Sequence, residues 1–314
     1  MTDNLQSVFV FPGQGSQKVG MLKELSEHWP EILETFAEAS DVLGYDLWSL
    51  VQKGPQDELN LTACAQPALL CSSVAIWRVL QNSGSLKPAL LAGHSLGEWS
   101  ALVCAGVLSF KDAIRLVQLR GKYMQEAVPA GVGAMAAIIG LSDESIVDCC
   151  NRASSDEEVT AVNYNSPGQV VIAGHSQAVA KAIELCKEAG AKRAMPLAVS
   201  APFHTELMRP AAERLADHIA QTEFLVPQIP VVHNVNAATE SDPQKIKNLM
   251  VEQIFSPVPW VECVNTICDQ GVALQIECGP GKVLSGLAKR INKQLMAQAT
   301  DSVAAVEALL EPVS

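Results

Sequence analysis

The sequence predicts an α/β fold in which a parallel sheet forms the core and a smaller sheet is inserted. Short apolar runs alternate with amphipathic segments along most of the chain, which is the pattern of parallel α/β proteins. Residues 131–199 follow a different order of elements, βαββαβ, which is that of a ferredoxin-like unit. Because the first pattern resumes afterwards, we expect a core formed by residues 1–130 and 200–314 and a ferredoxin-like subdomain formed by residues 131–199.

The elements of the predicted core begin with an apolar run rich in valine and phenylalanine, which is typical of a buried strand. A second apolar run leads directly into a turn that contains glycine and serine. Helices are predicted where apolar residues recur at helical spacing, and Ser109 with Asp112 has the form of a capping box at the start of one of them. The predicted core elements are strands at 7–11, 89–92, 231–235 and 273–277 and helices at 65–81, 96–105, 109–128, 205–221 and 282–292.

The predicted subdomain contains four strands and two helices. An Asn-Ser-Pro-Gly sequence at 165–168 separates two of the strands and is typical of a turn. The strands are expected at 133–140, 159–164, 169–173 and 192–197, and the helices at 143–152 and 177–189.

The composition of the 314-residue chain favours a globular protein with a large core, because 48% of the residues are hydrophobic and 18% are charged. The formal net charge of −12 argues against general nucleic-acid binding. The nine cysteines form no CxxC pair and no metal-ligand spacing with histidines, so we expect reduced thiols and no metal site. The N-terminal sequence lacks a signal-peptide pattern and no uninterrupted apolar segment has the length of a membrane span, so a cytoplasmic protein is expected, and we expect a monomer.

A candidate nucleophile lies in the sequence Gly93-His94-Ser95-Leu96-Gly97, which fits the G-x-S-x-G pattern of a nucleophile elbow. Glycines on both sides of the serine allow the close backbone approach that a sharp turn from strand to helix needs. The helix that begins at Leu96 would direct free N–H groups at a bound anion. A chance match in a Gly/Ser turn is the alternative, and the predicted strand–turn–helix context favours the nucleophile.

A serine hydroxyl needs a base, and the chain contains six histidines. His94 adjoins the serine and should point away from it, while His233 lies on an apolar strand and is expected to be a core or rim residue. His204 stands at the start of a predicted helix, where the helix dipole would keep the imidazole neutral and able to accept a proton. Simple N-terminal capping would also explain His204, and the spacing leaves both interpretations open.

Two further features are not required by the fold. Arg120 falls on the apolar face of its predicted helix, where a guanidinium must extend to solvent, pair with a protein carboxylate or bind an anionic ligand. Gln14 lies in a glycine-rich loop at 12–17 that lacks the features of a phosphate-binding loop. This loop is either a plain turn, or it brings the Gln14 N–H beside the serine, where it would form an oxyanion hole with the Leu96 N–H.

Seven segments together make the chain resemble the malonyl-CoA:acyl carrier protein transacylases of bacterial fatty-acid synthesis over essentially its full length. Each segment is a weak signal, but their order and spacing are highly specific. The segments are FPGQGSQ at 11–17, QPA at 66–68, GHSLGE at 93–98, RG at 120–121, NYNSPGQ at 163–169, APFH at 201–204 and GPGK at 279–282.

The resemblance implies an α/β-hydrolase-like core with a ferredoxin-like subdomain, and ping-pong transfer of a malonyl group from malonyl-CoA to the phosphopantetheine thiol of acyl carrier protein. It implies that Ser95 carries the malonyl group as an ester and that His204 is the base. By the same resemblance, the backbone N–H groups of Gln14 and Leu96 form the oxyanion hole, and a backbone carbonyl matching Gln253 orients the histidine.

The resemblance also assigns the substrate side of the site. It implies that Arg120 holds the malonyl carboxylate and that Phe203 is typical of the malonyl-selective form, although ordinary core packing would explain a phenylalanine there. Gln66 and Asn165 lie in the matching segments and are expected to contact substrate. No metal or cofactor is implied beyond the coenzyme A thioester that serves as substrate.

Two rival functions remain at this level. A serine hydrolase or thioesterase of similar fold would differ only in passing the acyl group to water, and Arg120 together with the absence of an HGGG segment favours the transferase. A non-catalytic subunit that binds carrier protein is the second rival. The intact set of Ser95, His204 and Gln14 argues against it.

Overall fold

The computed structural model describes residues 6–82, 87–129, 131–199 and 201–311. The strands in these ranges are β1 (Ser7–Phe11), β2 (Leu90–Gly93), β3 (Gly133–Ile139), β4 (Val159–Ser166), β5 (Gln169–His175), β6 (Arg193–Pro196), β7 (Val231–Val232), β8 (Leu274–Glu277) and β9 (Met296–Ala299). The helices are α1 (Lys23–His28), α2 (Pro30–Leu43), α3 (Leu47–Lys53), α4 (Gln56–Asn60), α5 (Thr62–Asn82), α6 (Leu96–Cys104), α7 (Phe110–Glu126), α8 (Asp143–Ala153), α9 (Ser176–Glu188), α10 (Arg209–Gln221), α11 (Pro243–Glu252), α12 (Trp260–Asp269), α13 (Val283–Ile291) and α14 (Val303–Leu310).

The larger sheet has five strands in the order β7-β2-β1-β8-β9, and every neighbouring pair is parallel. Side chains of the central strand β1 alternate between two separate hydrophobic clusters, with Phe9 and Phe11 in one and Val8 and Val10 in the other. This alternation shows that both faces of the sheet are buried, as expected for a parallel sheet covered by helices. The α/β fold class predicted from the sequence is therefore confirmed.

The carboxyl ends of these parallel strands lie at one edge of the larger sheet. The glycine-rich loop follows β1, the candidate nucleophile follows β2, and His233 follows β7. In open α/β sheets, ligand sites are built from the loops at this edge. The topology thus brings together segments that are far apart in the sequence.

The smaller sheet is antiparallel, with strand order β4-β5-β3-β6, and α8 and α9 pack against it around a separate hydrophobic cluster. The βαββαβ order predicted for this region is confirmed, and the strand order is that of a ferredoxin-like unit. Its strand β4 also bonds to the core, because the Tyr164 N–H donates to the Val258 carbonyl at 3.0 Å and the Val258 N–H donates to the Val162 carbonyl at 2.7 Å.

Several predicted elements end at other residues than those observed, and two of them differ for a clear structural reason. The strand expected at 231–235 stops at Val232, because His233 and Asn234 turn their polar groups toward a buried carboxylate. The helix expected from residue 205 begins at Arg209 after a short 3₁₀ turn, Glu206–Met208. Helices α1 to α4, α11, α12 and α14 and the edge strand β9 were not predicted.

Helix α5 is longer than predicted and has the length and apolar composition of a membrane span, but 83% of the relevant window is buried inside the fold. That burial is the pattern of a core helix, and α5 packs against α2, α6 and α7. All nine cysteines are free thiols. The described residues contain no cluster of three or more side chains that could hold a metal ion. The first five residues, which carry part of the N-terminal pattern, lie outside the described ranges.

Candidate active site

Ser95 occupies a strained turn between β2 and α6, with φ 52° and ψ −107°. The turn is tight because a Cβ atom at Gly93 would overlap the backbone of Gly97, and one at Gly97 would overlap the Phe11 carbonyl oxygen. Only glycine fits these two positions, as the nucleophile-elbow pattern predicts. The strain places the serine hydroxyl at the end of the strand, where a substrate can reach it.

Asn234, which lies just after the neighbouring strand β7, stabilises this turn with two hydrogen bonds. Its side-chain oxygen accepts from the Ser95 N–H at 2.8 Å, and its side-chain NH₂ donates to the Gly93 carbonyl at 2.8 Å. Both bonds are made by a fully buried side chain. Asn234 therefore satisfies two backbone groups that a strained turn would otherwise leave without partners.

His204 lies directly against the serine, with its Nε2 atom 2.7 Å from Ser95 Oγ. Its Nδ1 atom lies 3.0 Å from the Gln253 carbonyl and 3.1 Å from the Ser256 carbonyl. Because both of these groups can only accept, Nδ1 carries the proton and Nε2 is free to accept one from the serine hydroxyl. The carbonyl of Gln253 thus takes the position that an aspartate occupies in a Ser-His-Asp triad.

The His204 imidazole is held neutral, as expected, but for a different reason. Burial, together with the positive charge of Arg120 and then the neighbouring His94, lowers the pKa of His204 to about 3. The helix dipole is a poor explanation, because the element that follows His204 is a 3₁₀ turn of three residues. A neutral imidazole at physiological pH can act as a base toward the serine hydroxyl.

Arg120 is the third member of this cluster and is 1% exposed. Its Nη1 donates to Gln66 Oε1 at 2.9 Å. Its Nη2 donates to Gln253 Oε1 at 3.0 Å and to Ser95 Oγ at 3.2 Å. All of these acceptors are uncharged, and no carboxylate forms an ion pair with Arg120 within the described part of the chain.

Two of the three interpretations of Arg120 that the sequence left open do not fit this environment. The side chain neither reaches solvent nor pairs with a described carboxylate, which favours an anionic ligand, and that role stays a prediction. Burial lowers the pKa of Arg120 to about 10, and the negative charge of Glu98 opposes that effect. The guanidinium is therefore still a cation at neutral pH, and it lies beside the candidate nucleophile.

The loop that contains Gln14 packs against the nucleophile turn. A Cβ atom at Gly13 would lie 2.6 Å from the His94 carbonyl oxygen, so this glycine permits the approach. The Gln14 side-chain oxygen accepts from Gln66 Nε2 at 3.3 Å. Leu96 is the first residue of α6, where a backbone N–H has no acceptor within the helix. These positions agree with an oxyanion hole formed by the two N–H groups, which remains a prediction.

Asn165 and Phe203 each lie beside a histidine of the site, Asn165 through a hydrogen bond to His94 and Phe203 as the residue before His204. Asn165 Oδ1 lies 2.9 Å from His94 Nε2, so the His94 ring points away from the serine hydroxyl as expected and links the core to the subdomain. Phe203 is 8% exposed and belongs to the main hydrophobic cluster, which agrees with a packing role. The substrate contacts expected for both residues remain predictions.

Sequence reasoning missed the buried polar groups behind the nucleophile. Glu98 and Asn234 are fully buried, and His233, expected only to be a core or rim residue, bonds to Glu98 through Nδ1 at 2.7 Å. The carbonyl of Ser256 was missed as well. A glutamate in the first turn of an apolar helix was the available signal, because buried carboxylates are rare without partners.

Comparison with known proteins gives near full-length matches. A family model described as an acyl transferase domain matches residues 8–308. The malonyl CoA-acyl carrier protein transacylase of Salmonella typhimurium is 57% identical over 97% of this chain and 99% of its own length. The crystal structure of an acyl carrier protein S-malonyltransferase from Vibrio cholerae is 60% identical, with a TM-score of 0.95 over 97% of this chain and 99% of that chain. A malonyl-transacylase solved in complex with its type II PKS acyl-carrier protein is 56% identical, with a TM-score of 0.96 over the same shares.

Proposed function

This chain belongs to the acyl transferase family, and from that premise we propose that it transfers a malonyl group from malonyl-CoA to the phosphopantetheine thiol of acyl carrier protein. The observation that carries the proposal is the convergence of Ser95, His204 and Arg120 in one buried cluster. A nucleophile, a neutral base and an unpaired cation are the three groups that transfer of a carboxylated acyl group needs.

The first half of the reaction loads the enzyme. His204 Nε2 takes the proton of the Ser95 hydroxyl as Oγ attacks the thioester carbonyl of malonyl-CoA. The resulting oxyanion is stabilised by the backbone N–H groups of Gln14 and Leu96, and such donors typically contribute about 10²–10³ in rate each. When the C–S bond breaks, the proton on His204 passes to the departing thiolate, which leaves as coenzyme A.

The second half reverses these steps with a different thiol. The phosphopantetheine thiol gives its proton to His204 and attacks the ester carbonyl on Ser95. The C–O bond breaks, Ser95 Oγ recovers the proton from His204, and malonyl carrier protein leaves. The Gln253 carbonyl keeps the imidazole in one orientation and tautomer throughout, so it can serve both halves.

Arg120 supplies selectivity for a diacid. The malonyl carboxylate pairs with the guanidinium, whereas an acetyl group would leave the buried cation without a partner. Gln66 orients Arg120 and thereby bounds the acyl pocket. Phe203 limits the space beside His204 against an α-methyl branch, and Asn165, which bonds to His94 next to the nucleophile, contacts the substrate.

We further propose a cytoplasmic monomer that binds malonyl-CoA and acyl carrier protein, binds no nucleic acid and needs no metal or cofactor besides the thioester substrate. The nine free thiols agree with a reducing compartment. The net charge of −12 agrees with the absence of nucleic acid among the partners.

Intact-mass analysis after mixing with malonyl-CoA tests the proposed function. We expect the wild-type mass to increase by one malonyl group and the Ser95→Ala mass to stay unchanged, with Ser109→Ala on the surface as the matched serine control. The ester should persist in water and disappear when a carrier-protein thiol is added. Rapid loss of the ester in water alone would instead indicate a hydrolase, and no labelling of the wild type would reject the catalytic assignment.

A further inference from the structure

A fully buried carboxylate, that of Glu98, lies one turn after the nucleophile and has no part in the steps described above. Its Oε1 atom lies 2.7 Å from His233 Nδ1. Its Oε2 atom accepts from the Asn234 N–H at 3.1 Å and from Gln253 Nε2 at 2.6 Å. One side chain thus joins the helix after the nucleophile, the loop after β7 and the end of α11.

Gln253 connects this carboxylate to the reacting groups. Its side-chain NH₂ donates both to Glu98 and, at 2.9 Å, to the Ser95 carbonyl. Its side-chain oxygen accepts from Arg120 Nη2, and its backbone carbonyl bonds to His204. A single amide therefore stands between the buried anion and the buried cation.

Interposing an amide has an electrostatic consequence. A buried guanidinium is costly unless a negative charge lies near it. A direct ion pair with a protein carboxylate would meet that need, but it would also occupy the hydrogen-bond donors that a substrate carboxylate must use. The amide dipole is aligned between the two charges, so Glu98 can stabilise Arg120 without touching it.

We propose that Glu98 is a positioning residue that acts through Gln253. It keeps the Arg120 guanidinium charged and oriented, and it leaves the guanidinium available to the acyl carboxylate. This inference rests on the proposed function and adds the counter-charge for the diacid receptor. The alternative is that Glu98 only holds three backbone segments together. The two differ in whether the negative charge itself matters.

The variant Glu98→Gln separates these roles because it removes the charge and keeps the shape. Its side-chain oxygen can still accept from Asn234 and Gln253, and its NH₂ can donate to His233 Nδ1, since the imidazole can present an acceptor there. The described titratable groups near Arg120 are Glu98, His204 and, beside His204, His94, and His233 lies against Glu98 on the side away from Gln253. Burial lowers the pKa values of His94 and His204, so both of these rings are neutral over the pH range of the test.

The experiment measures the loading half-reaction alone, as kcat/KM for esterification of Ser95 by malonyl-CoA and by acetyl-CoA between pH 7 and 11. In the wild type, the preference for malonyl should fall as Arg120 loses its proton, near its pKa of about 10. In Glu98→Gln the fall should come roughly 1–2 pH units lower, the order expected when a nearby buried unit charge is removed at an effective dielectric constant of about 20. Acetyl loading should show no such shift.

Glu277→Gln is the matched control, because Glu277 is also fully buried but bonds to the start of α13. In the Glu277→Gln variant, the preference for malonyl over acetyl should fall at the same pH as in the wild type. If Glu98→Gln does so as well, even with reduced activity at all pH values, the charge has no role and the inference is wrong. Absence of malonyl loading in the wild type would reject the proposed function itself, so the two failures are distinguishable.

Discussion

Replacing Arg120 by alanine tests whether this residue selects the acyl group. In the complex, the guanidinium would form two charge-assisted hydrogen bonds with the malonyl carboxylate, and each such bond contributes about 1.5–3 kcal/mol. Because Arg120 is only 1% exposed, water screens this interaction little. Loss of both bonds corresponds to about 3–6 kcal/mol, or roughly a 10²–10⁴-fold lower kcat/KM for malonyl-CoA.

Acetyl-CoA provides the internal reference, because an acetyl group has no carboxylate to pair with Arg120. We expect its kcat/KM to change by less than about tenfold, so the ratio of malonyl to acetyl loading should fall by about 10-fold at the least and by up to about 10⁴-fold. The change also removes a positive charge that lowers the pKa of His204. Burial is the larger cause and persists, so an assay at pH 8 keeps the base neutral in both proteins.

The assay is single-turnover loading followed by intact mass, with the two thioesters in competition. Arg115→Ala on the same helix is the matched control, because Arg115 is exposed and forms only a surface ion pair with Asp112. Arg120→Lys retains the charge but loses the planar fork, and should give an intermediate ratio. An unchanged malonyl-to-acetyl ratio in Arg120→Ala would refute the assignment of this residue as the carboxylate receptor.

Two further predictions concern pH and the nucleophile turn. Because burial and Arg120 lower the pKa of His204 to about 3, the rate of loading by malonyl-CoA should stay constant through pH 6.5 and should decline only as the pH falls toward 3. A decline in this rate centred on pH 6.5 would contradict a neutral, buried base. Gly97→Ala should lower the free energy of unfolding by about 3 kcal/mol or more, because its Cβ would overlap the Phe11 carbonyl, whereas Gly286→Ala has open space in α13 and should be neutral or slightly stabilising. Urea unfolding of both variants measures the difference in the free energy of unfolding. Equal values would show that the nucleophile turn has room for a Cβ atom at position 97.

Local chemistry explains why much of the site could be predicted from sequence. The elbow requires glycine at 93 and 97 because of contacts within a few residues and with the adjacent strand, so the pattern carries its own geometry. Arg120 was recognisable because a guanidinium on an apolar helix face is unusual wherever the helix packs. For His204 the sequence left two interpretations open, a base or a simple helix cap, since its partner Ser95 lies 109 positions earlier in the chain.

The sequence by itself determined the fold class, the βαββαβ order of the smaller unit, four strands of the larger sheet and the candidate nucleophile, because hydrophobic periodicity and glycine sterics act over short distances along the chain. Only the tertiary structure decided which groups surround Arg120 and that Glu98, Gln253 and Asn234 form one buried network. These hydrogen bonds join residues 133 to 158 positions apart. Such pairs form only after the parallel strands have brought their carboxyl ends together. Burial at that edge of the sheet then makes an unpaired polar group costly, so each group needs a partner that no local sequence pattern specifies.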